Sequence, residues 1–139
     1  MERRMPAKVF TLEEANRLVP QVQTSIHLMQ EAVEEAEGLR DGLEVLELLG
    51  AAELSSPEHP EYAEKQARLM FCRETFGQEH ERLAQSGVLL RDLQTGLVDF
   101  HALRDRRLVF LCWCLGEEAI GYWHEIDSGL AGRRPIREF

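Results

Sequence analysis

The spacing of the apolar residues changes at Gly87, and this change constrains the fold more than any other feature of the sequence. Before Gly87, apolar residues recur three and four positions apart, which is typical of one face of an α-helix. After Gly87, short segments rich in Val, Leu and aromatic residues are separated by turn-like polar residues, which is typical of antiparallel strands. The sequence therefore predicts an α+β domain with its helices first and its sheet afterwards.

The first part predicts a long antiparallel helical hairpin. In "VFTLEEAN", Thr11 and Glu14 can form a capping box, and Phe10 occupies the position of a hydrophobic staple. The apolar stripe then predicts a helix over 12–37, with a kink or restart at Pro20. A second helix of nearly equal length is expected over 60–86, after a connector at 38–59 that carries a short helix at "LEVLELLG". Its expected core positions are Tyr62, Leu69, Cys72, Phe76 and Leu83.

The second part predicts a small sheet. The segments "GVLL", "GLVDFHAL" and "RLVFLCWCL" are expected to be strands, and "DSGLAGRRPI" an irregular tail. The segment "GEEAIGYWHEI" fits a strand or a helix, although Gly121 and the adjacent aromatic residues favour the strand. Residues 1–139 are therefore expected to form a single domain, in which the hairpin of 12–86 packs on a three- to four-stranded antiparallel sheet within 87–139.

The polar link "RDRR" determines how two of these strands are paired. It predicts a hairpin loop of two or four residues, and both lengths place Asp99 opposite Cys112. One face of the pair is then wholly apolar, and Asp99, His101 and Cys112 share the other face. A three-residue loop would instead move Asp99 among the core-facing residues, which is costly for an unpaired carboxylate. The sequence thus predicts that Asp99 and Cys112 project from the same face.

Four residues of the second part are candidate metal ligands: Asp99, Cys112, Glu117 and His124. Their oxygen, sulfur and nitrogen donors suit a divalent transition metal such as zinc. Their spacing matches no standard motif, because the chain has neither paired CxxC segments nor an HExxH segment.

Two other chemistries remain open at the same residues. Trp123, Arg133 and Arg134 are candidate ligand-binding residues, which together with His124 would bind a small carboxylate or phosphate. A thiol-based enzyme would use Cys112 or Cys114 as nucleophile, with His124 as base and Asp99 to orient it. The sequence alone leaves open whether the protein is an enzyme.

An interaction protein is the competing class. A helical pair with a continuous apolar stripe often buries its remaining surface in a homodimer, and the Trp and Cys residues would then be packing core. Residues 1–86 contain 9 Lys+Arg against 17 Asp+Glu, an acidic balance that argues against nucleic-acid binding. We expect a cytoplasmic protein that does not bind membranes. The chain shows no signal peptide or membrane span, and its three cysteines cannot all pair.

Several motifs together resemble an uncharacterised bacterial family, domain of unknown function 2203. They are "FTLEEANRLVP", "GLVDF", "LCWCLGE", "YWHE" and "GRRPI", and they extend over nearly the whole chain. The resemblance implies a small bacterial cytosolic protein and implies no activity. The hairpin reads Asp105-Arg106 where the family pattern has Asp-Gly. The motif positions include Asp99, Cys112, Trp113, Gly116, Glu117, Trp123, His124 and Arg133.

Overall fold

The computed structural model describes residues 6, 8–49 and 59–138, with no side-chain description for Leu130 and Glu138. Two α-helices precede a five-stranded antiparallel sheet, and the helices pack on each other. The predicted α+β class and the helical hairpin are therefore confirmed. In the described part of the chain, neither helix is long and apolar enough to cross a membrane.

Helix α1 spans Leu12–Leu48 and helix α2 spans Pro60–Gln85. The predicted capping box is present at the start of α1: the Glu14 amide donates to Thr11 Oγ1 at 3.1 Å, and the Thr11 amide donates to Glu14 Oε1 at 2.9 Å. The helix continues through Pro20 without a restart.

The expected end of the first helix at residue 37 is wrong. Helix α1 continues through Gly38 and Gly42, and the short helix expected in the connector is its last part. Leu43 and Leu46 are buried there, and burial of such side chains offsets the cost of about 1 kcal/mol per glycine in a helix. Of the expected connector, residues 50–58 lie outside the described residues.

The described chain forms two compact units, of which residues 27–80 are one. In this unit α1 and α2 pack through small and apolar side chains, and the Arg68 guanidinium is paired with the Glu35 carboxylate on the other helix. The expected core positions of the hairpin are largely confirmed here. The buried core is Ala32, Ala36, Leu43, Leu69 and Cys72, with Leu39, Tyr62 and Phe76 partly buried against it.

The other unit contains the sheet, within residues 81–139, together with the chain up to residue 26. The strand order along the sheet follows the sequence, and all neighbours are antiparallel. The sheet has one strand more than expected, because two residues of the predicted irregular tail pair with the fourth strand. The strands are β1 (Val88–Asp92), β2 (Leu97–Arg104), β3 (Arg107–Cys114), β4 (Tyr122–Glu125) and β5 (Arg134–Pro135).

The predicted register of β2 against β3 is confirmed. Asp99 lies opposite Cys112, and His101 lies opposite Phe110. One face of the pair is completely buried, because it forms the main apolar layer of this unit. Its residues, all 0% exposed, are Val98, Phe100, Ala102, Val109, Leu111 and Trp113.

The β2–β3 loop has two residues, the shorter of the two loop lengths that the sequence predicted. Arg104 pairs with Arg107, so the turn consists of Asp105 and Arg106. Both have positive φ angles, 51° and 65°, as the tight two-residue hairpin turn with left-handed central residues requires. Glycine adopts this conformation readily, whereas a side chain such as that of Arg106 is strained in it.

Replacing Arg106 by glycine should therefore stabilise the protein. We expect Arg106→Gly to raise the free energy of unfolding by about 0.5–1 kcal/mol, measured by urea denaturation. Asp105→Gly is the matched control and should change the free energy less, because aspartate tolerates the left-handed region better than arginine. A loss of stability in Arg106→Gly would contradict this account of the turn.

Candidate metal centre

Three side chains from adjacent strands converge on the sheet face opposite the apolar layer. They are Asp99 on β2, Cys112 on β3 and His124 on β4. Strands β2 and β4 flank β3 and are therefore about 10 Å apart. The small Cys112 side chain between them lets the other two meet, and His124 Nε2 lies 3.1 Å from Asp99 Oδ1.

This geometry is compatible with a shared metal ion. One donor atom from each of the three residues lies within 4.8 Å of the other two. All three residues are buried, at 3%, 1% and 4% exposure for Asp99, Cys112 and His124. Zinc bonds to oxygen, nitrogen and sulfur are about 2.0–2.3 Å long, so small side-chain rotations would let these donors share one ion.

The His124 ring is oriented by the backbone. Its Nδ1 lies 2.8 Å from the carbonyl oxygen of Glu125. A carbonyl oxygen can only accept a hydrogen bond, so Nδ1 carries a proton and donates it. In a neutral ring Nε2 then holds a lone pair directed at the Asp99 carboxylate, which is also an acceptor. Two acceptors at 3.1 Å need a cation between them, and that cation is either a proton or a metal ion.

The buried Asp99 carboxylate has a charged partner besides His124. Its Oδ2 accepts a hydrogen bond from Arg91 Nε at 3.0 Å, while Oδ1 is the oxygen that faces the imidazole. The Arg91 guanidinium also lies 4.9 Å from the centre of the Phe110 ring. Arg91 therefore compensates a buried charge that would otherwise be costly, and it fixes the orientation of the carboxylate.

The Cys112 thiol is protonated at neutral pH. Burial raises its pKa to about 12, and the negative charge of Asp99 adds to this effect, whereas Arg133 opposes it. Because the thiolate is the reactive form, the predicted role of Cys112 as a nucleophile is not supported by its environment. A metal ion would take the place of the proton, since thiol ligands bind metals as thiolates.

A cavity of about 320 Å³ opens beside the three donors. Asp99, Cys112 and His124 contribute to its wall, and so does Arg91. The remainder of the lining is apolar or small: Leu97, Phe110, Ile126 and Gly129. An ion held by the three donors would therefore face a partly open pocket large enough for a small molecule.

The comparison with protein families agrees with the sequence motifs. A family model described as "Uncharacterized conserved protein (DUF2203)" matches residues 8–136. The chain belongs to this family. The match includes all three converging donors, and the family description names no activity. No curated protein and no solved structure matches this DUF2203 chain.

Glu117, the fourth predicted metal ligand, is outside this group of three. Its Oε1 accepts hydrogen bonds from the Cys114 amide at 2.6 Å and from Arg133 Nη2 at 3.0 Å. Arg133 in turn lies beside the Cys112 thiol. In this DUF2203 chain, Glu117 therefore positions an arginine next to the thiol.

The three predicted ligand-binding residues divide between two faces of the sheet. The Arg133 guanidinium lies 4.1 Å from the Tyr122 ring centre, and that of Arg134 lies 5.2 Å from the Trp123 ring centre. Tyr122 and Trp123 are consecutive in β4, so their side chains point in opposite directions. Arg133 is thus on the face of the three donors, whereas Trp123 and Arg134 contact each other on the other face.

Sequence reasoning missed Arg91. The predicted strand "GVLL" ended at Leu90, and the structure extends β1 to Asp92 with an irregularity between Leu90 and Asp92. Leu89 lies opposite Asp99, which places β1 next to the site. The signal available in the sequence was that Arg91 directly follows a predicted strand. The neighbouring predicted strand carries the buried carboxylate, Asp99.

The three thiols should differ in reactivity. Iodoacetamide at pH 8 should modify Cys114 first, because it is half-buried, whereas Cys112 and Cys72 are buried and burial raises the pKa of each. Mass spectrometry of proteolytic peptides gives the order of modification. A sample unfolded in guanidinium is the control, in which all three should react. Modification of Cys112 in the folded protein at the rate seen after unfolding would contradict the assigned environment.

Proposed function

We propose that this DUF2203 protein is a small metal-binding domain. It holds one divalent transition metal, zinc in the first place, through Asp99, Cys112 and the Nε2 atom of His124. The observation that supports this most is the contact between His124 Nδ1 and the Glu125 carbonyl, since metal-binding histidines characteristically donate their second ring N–H to a backbone carbonyl or carboxylate. That contact leaves Nε2 available beside an oxygen and a sulfur donor.

The number of donors favours an open rather than a closed site. Structural zinc sites have four protein ligands, whereas sites that bind substrate or water have three. The described residues bring three donors together, and the carboxylate of Glu117 is occupied by Arg133 and the Cys114 amide. A fourth position is then available to water or to a ligand in the adjacent cavity.

The proposed setting is the bacterial cytosol. The proposed bacterial origin rests on the resemblance of the sequence motifs to those of a bacterial family. The cytosolic location is supported by the free thiols of Cys72, Cys112 and Cys114, because unpaired cysteines are typical of reducing compartments.

Metal content is the direct test of this function. Protein stripped with chelator and dialysed against zinc should bind one equivalent, measured by elemental analysis and calorimetry. Cys112→Ser and His124→Ala should each weaken binding by at least a hundredfold, because each removes a donor. Cys114→Ser and His101→Ala are matched controls on the same sheet face and should retain the wild-type affinity.

Circular dichroism of each variant separates loss of a ligand from loss of the fold. Wild-type protein that binds no zinc would contradict the proposal, since the contact between His124 Nε2 and Asp99 Oδ1 would then be a hydrogen bond of the core and not a metal site. Binding that survives both ligand substitutions in folded protein would place the ion elsewhere.

A homodimeric interaction protein is the second candidate. In the hairpin unit, Leu28, Met70 and Phe71 are 37%, 61% and 53% exposed. A mostly apolar cavity of about 310 Å³ between α1 and α2 is also open there, lined in part by Ala32 and Phe76. Exposed apolar surface of this kind is typical of an interface, and we propose a second copy of the same hairpin as its occupant.

Light scattering tests the second candidate. We expect a mass of two chains for the wild type and one chain for the double variant Met70→Glu, Phe71→Glu, because two buried carboxylates would oppose association. A matched control is Glu74→Gln on the same helix, which should remain dimeric. A monomeric wild type at a concentration of about 100 μM would contradict this proposal, and it would leave the metal site unaffected.

A further inference from the structure

We propose that the fourth coordination position binds the carboxylate group of a small organic monocarboxylate, whose short apolar body occupies the adjacent cavity. This inference rests on the proposed metal function. It adds the chemical class of the ligand, which the three protein donors alone do not specify.

The cavity and the open position adjoin one another. Asp99, Cys112 and His124 all line the cavity of about 320 Å³, so an ion that they hold lies at its wall. With three protein ligands, a tetrahedral ion has one further position, and a ligand in the cavity can reach it.

The charges around the fourth coordination position favour a ligand that carries a single negative charge. Asp99 and the Cys112 thiolate balance the two positive charges of the ion. Arg133 is paired with Glu117, whereas among the described residues the carboxylate paired with Arg91 is that of Asp99, whose charge the ion already balances. The loaded site therefore has one excess positive charge, and a monoanion neutralises it.

Arg91 is also placed to bind the ligand directly. Its side chain lines the cavity and is 44% exposed. Within the described residues, its hydrogen bond to Asp99 comes from Nε, and the guanidinium has further N–H donors on its Nη atoms. A planar guanidinium matches the two oxygens of a carboxylate, so one oxygen can bind the metal while the other accepts from Arg91.

The walls select for a small apolar body. Leu97, Phe110 and Ile126 form much of the lining, and these side chains cannot donate or accept hydrogen bonds. The volume of about 320 Å³ lies at the lower end of the range of about 300–1,000 Å³ that is typical of small-molecule pockets, which suits a short organic acid. A phosphate would bring more than one negative charge and would leave the apolar walls without a partner.

Cobalt-substituted protein gives a test with an optical readout. Co²⁺ in a site with one thiolate absorbs in the visible, and its spectrum changes when the fourth ligand is exchanged. We expect sodium butyrate to change this spectrum saturably, whereas neutral butyramide should not. Arg91→Gln, supplied with enough cobalt to carry one equivalent, should bind butyrate at least tenfold more weakly. Arg106→Gln, in the exposed hairpin turn, is the matched control and should bind butyrate as the wild type does.

The outcomes separate this inference from the proposed function. An unchanged spectrum in protein that carries one equivalent of cobalt would overturn the inference and leave the metal site standing. A response to inorganic phosphate but not to butyrate would overturn the carboxylate class. Equal butyrate affinity in metal-free protein, measured by calorimetry, would overturn the role of the metal as anchor. Failure to bind cobalt at all would contradict the proposed function and the inference together.

Discussion

The antiparallel pairing of β2 with β3 is the constraint on which the rest of the site depends. Because side chains alternate along a strand, a shift of one residue in this pairing would exchange the two faces of one strand. In the observed register Asp99 lies opposite Cys112, and the opposite face of the pair carries only apolar side chains, all of them buried. The two-residue turn at Asp105 and Arg106 fixes this register despite the strain of a positive φ angle at an arginine. Burial of six completely enclosed apolar side chains outweighs that strain.

The polar face is built around a buried carboxylate. Asp99 is satisfied from two sides, by Arg91 and by His124, and Cys112 between the strands is small enough to let them meet. The Glu125 carbonyl then determines which ring nitrogen of His124 faces the carboxylate. Each of these contacts alone is ordinary in a protein core. Together they place oxygen, nitrogen and sulfur donors around one point, which is the basis of the proposed metal function.

The sequence predicted those parts of the fold that depend on local pattern. The capping box at Thr11, the second helix from residue 60 and the register of Asp99 against Cys112 each follow from residues close in sequence or from strand alternation. The end of α1 was not predictable in the same way, because Gly38 and Gly42 are weak helix breakers whose cost is offset by burial of Leu43 and Leu46.

The candidate site, like the fold, could be predicted in part from the sequence. Residue types identified Asp99, Cys112 and His124 as donors, and strand alternation placed the first two on one face. The position of Glu117 depends on the turn after β3, where its contact with Arg133 is tertiary. Arg91 reaches Asp99 across β1 and β2, and neither the sequence spacing nor the short predicted strand indicated that contact. The sequence could thus not place Glu117, in the turn after β3, or Arg91, at the irregular end of β1, because their contacts depend on tertiary structure.

X-ray absorption of the metal-loaded protein tests the central claim most directly, because it identifies the donor atoms around the ion. The account predicts a four-coordinate zinc with one sulfur at about 2.3 Å and nitrogen or oxygen donors at about 2.0–2.1 Å, and the sulfur contribution should disappear in Cys112→Ser. A zinc ion surrounded only by oxygen and nitrogen in the wild type, or by two sulfurs, would contradict the assignment of Asp99, Cys112 and His124 as its ligands.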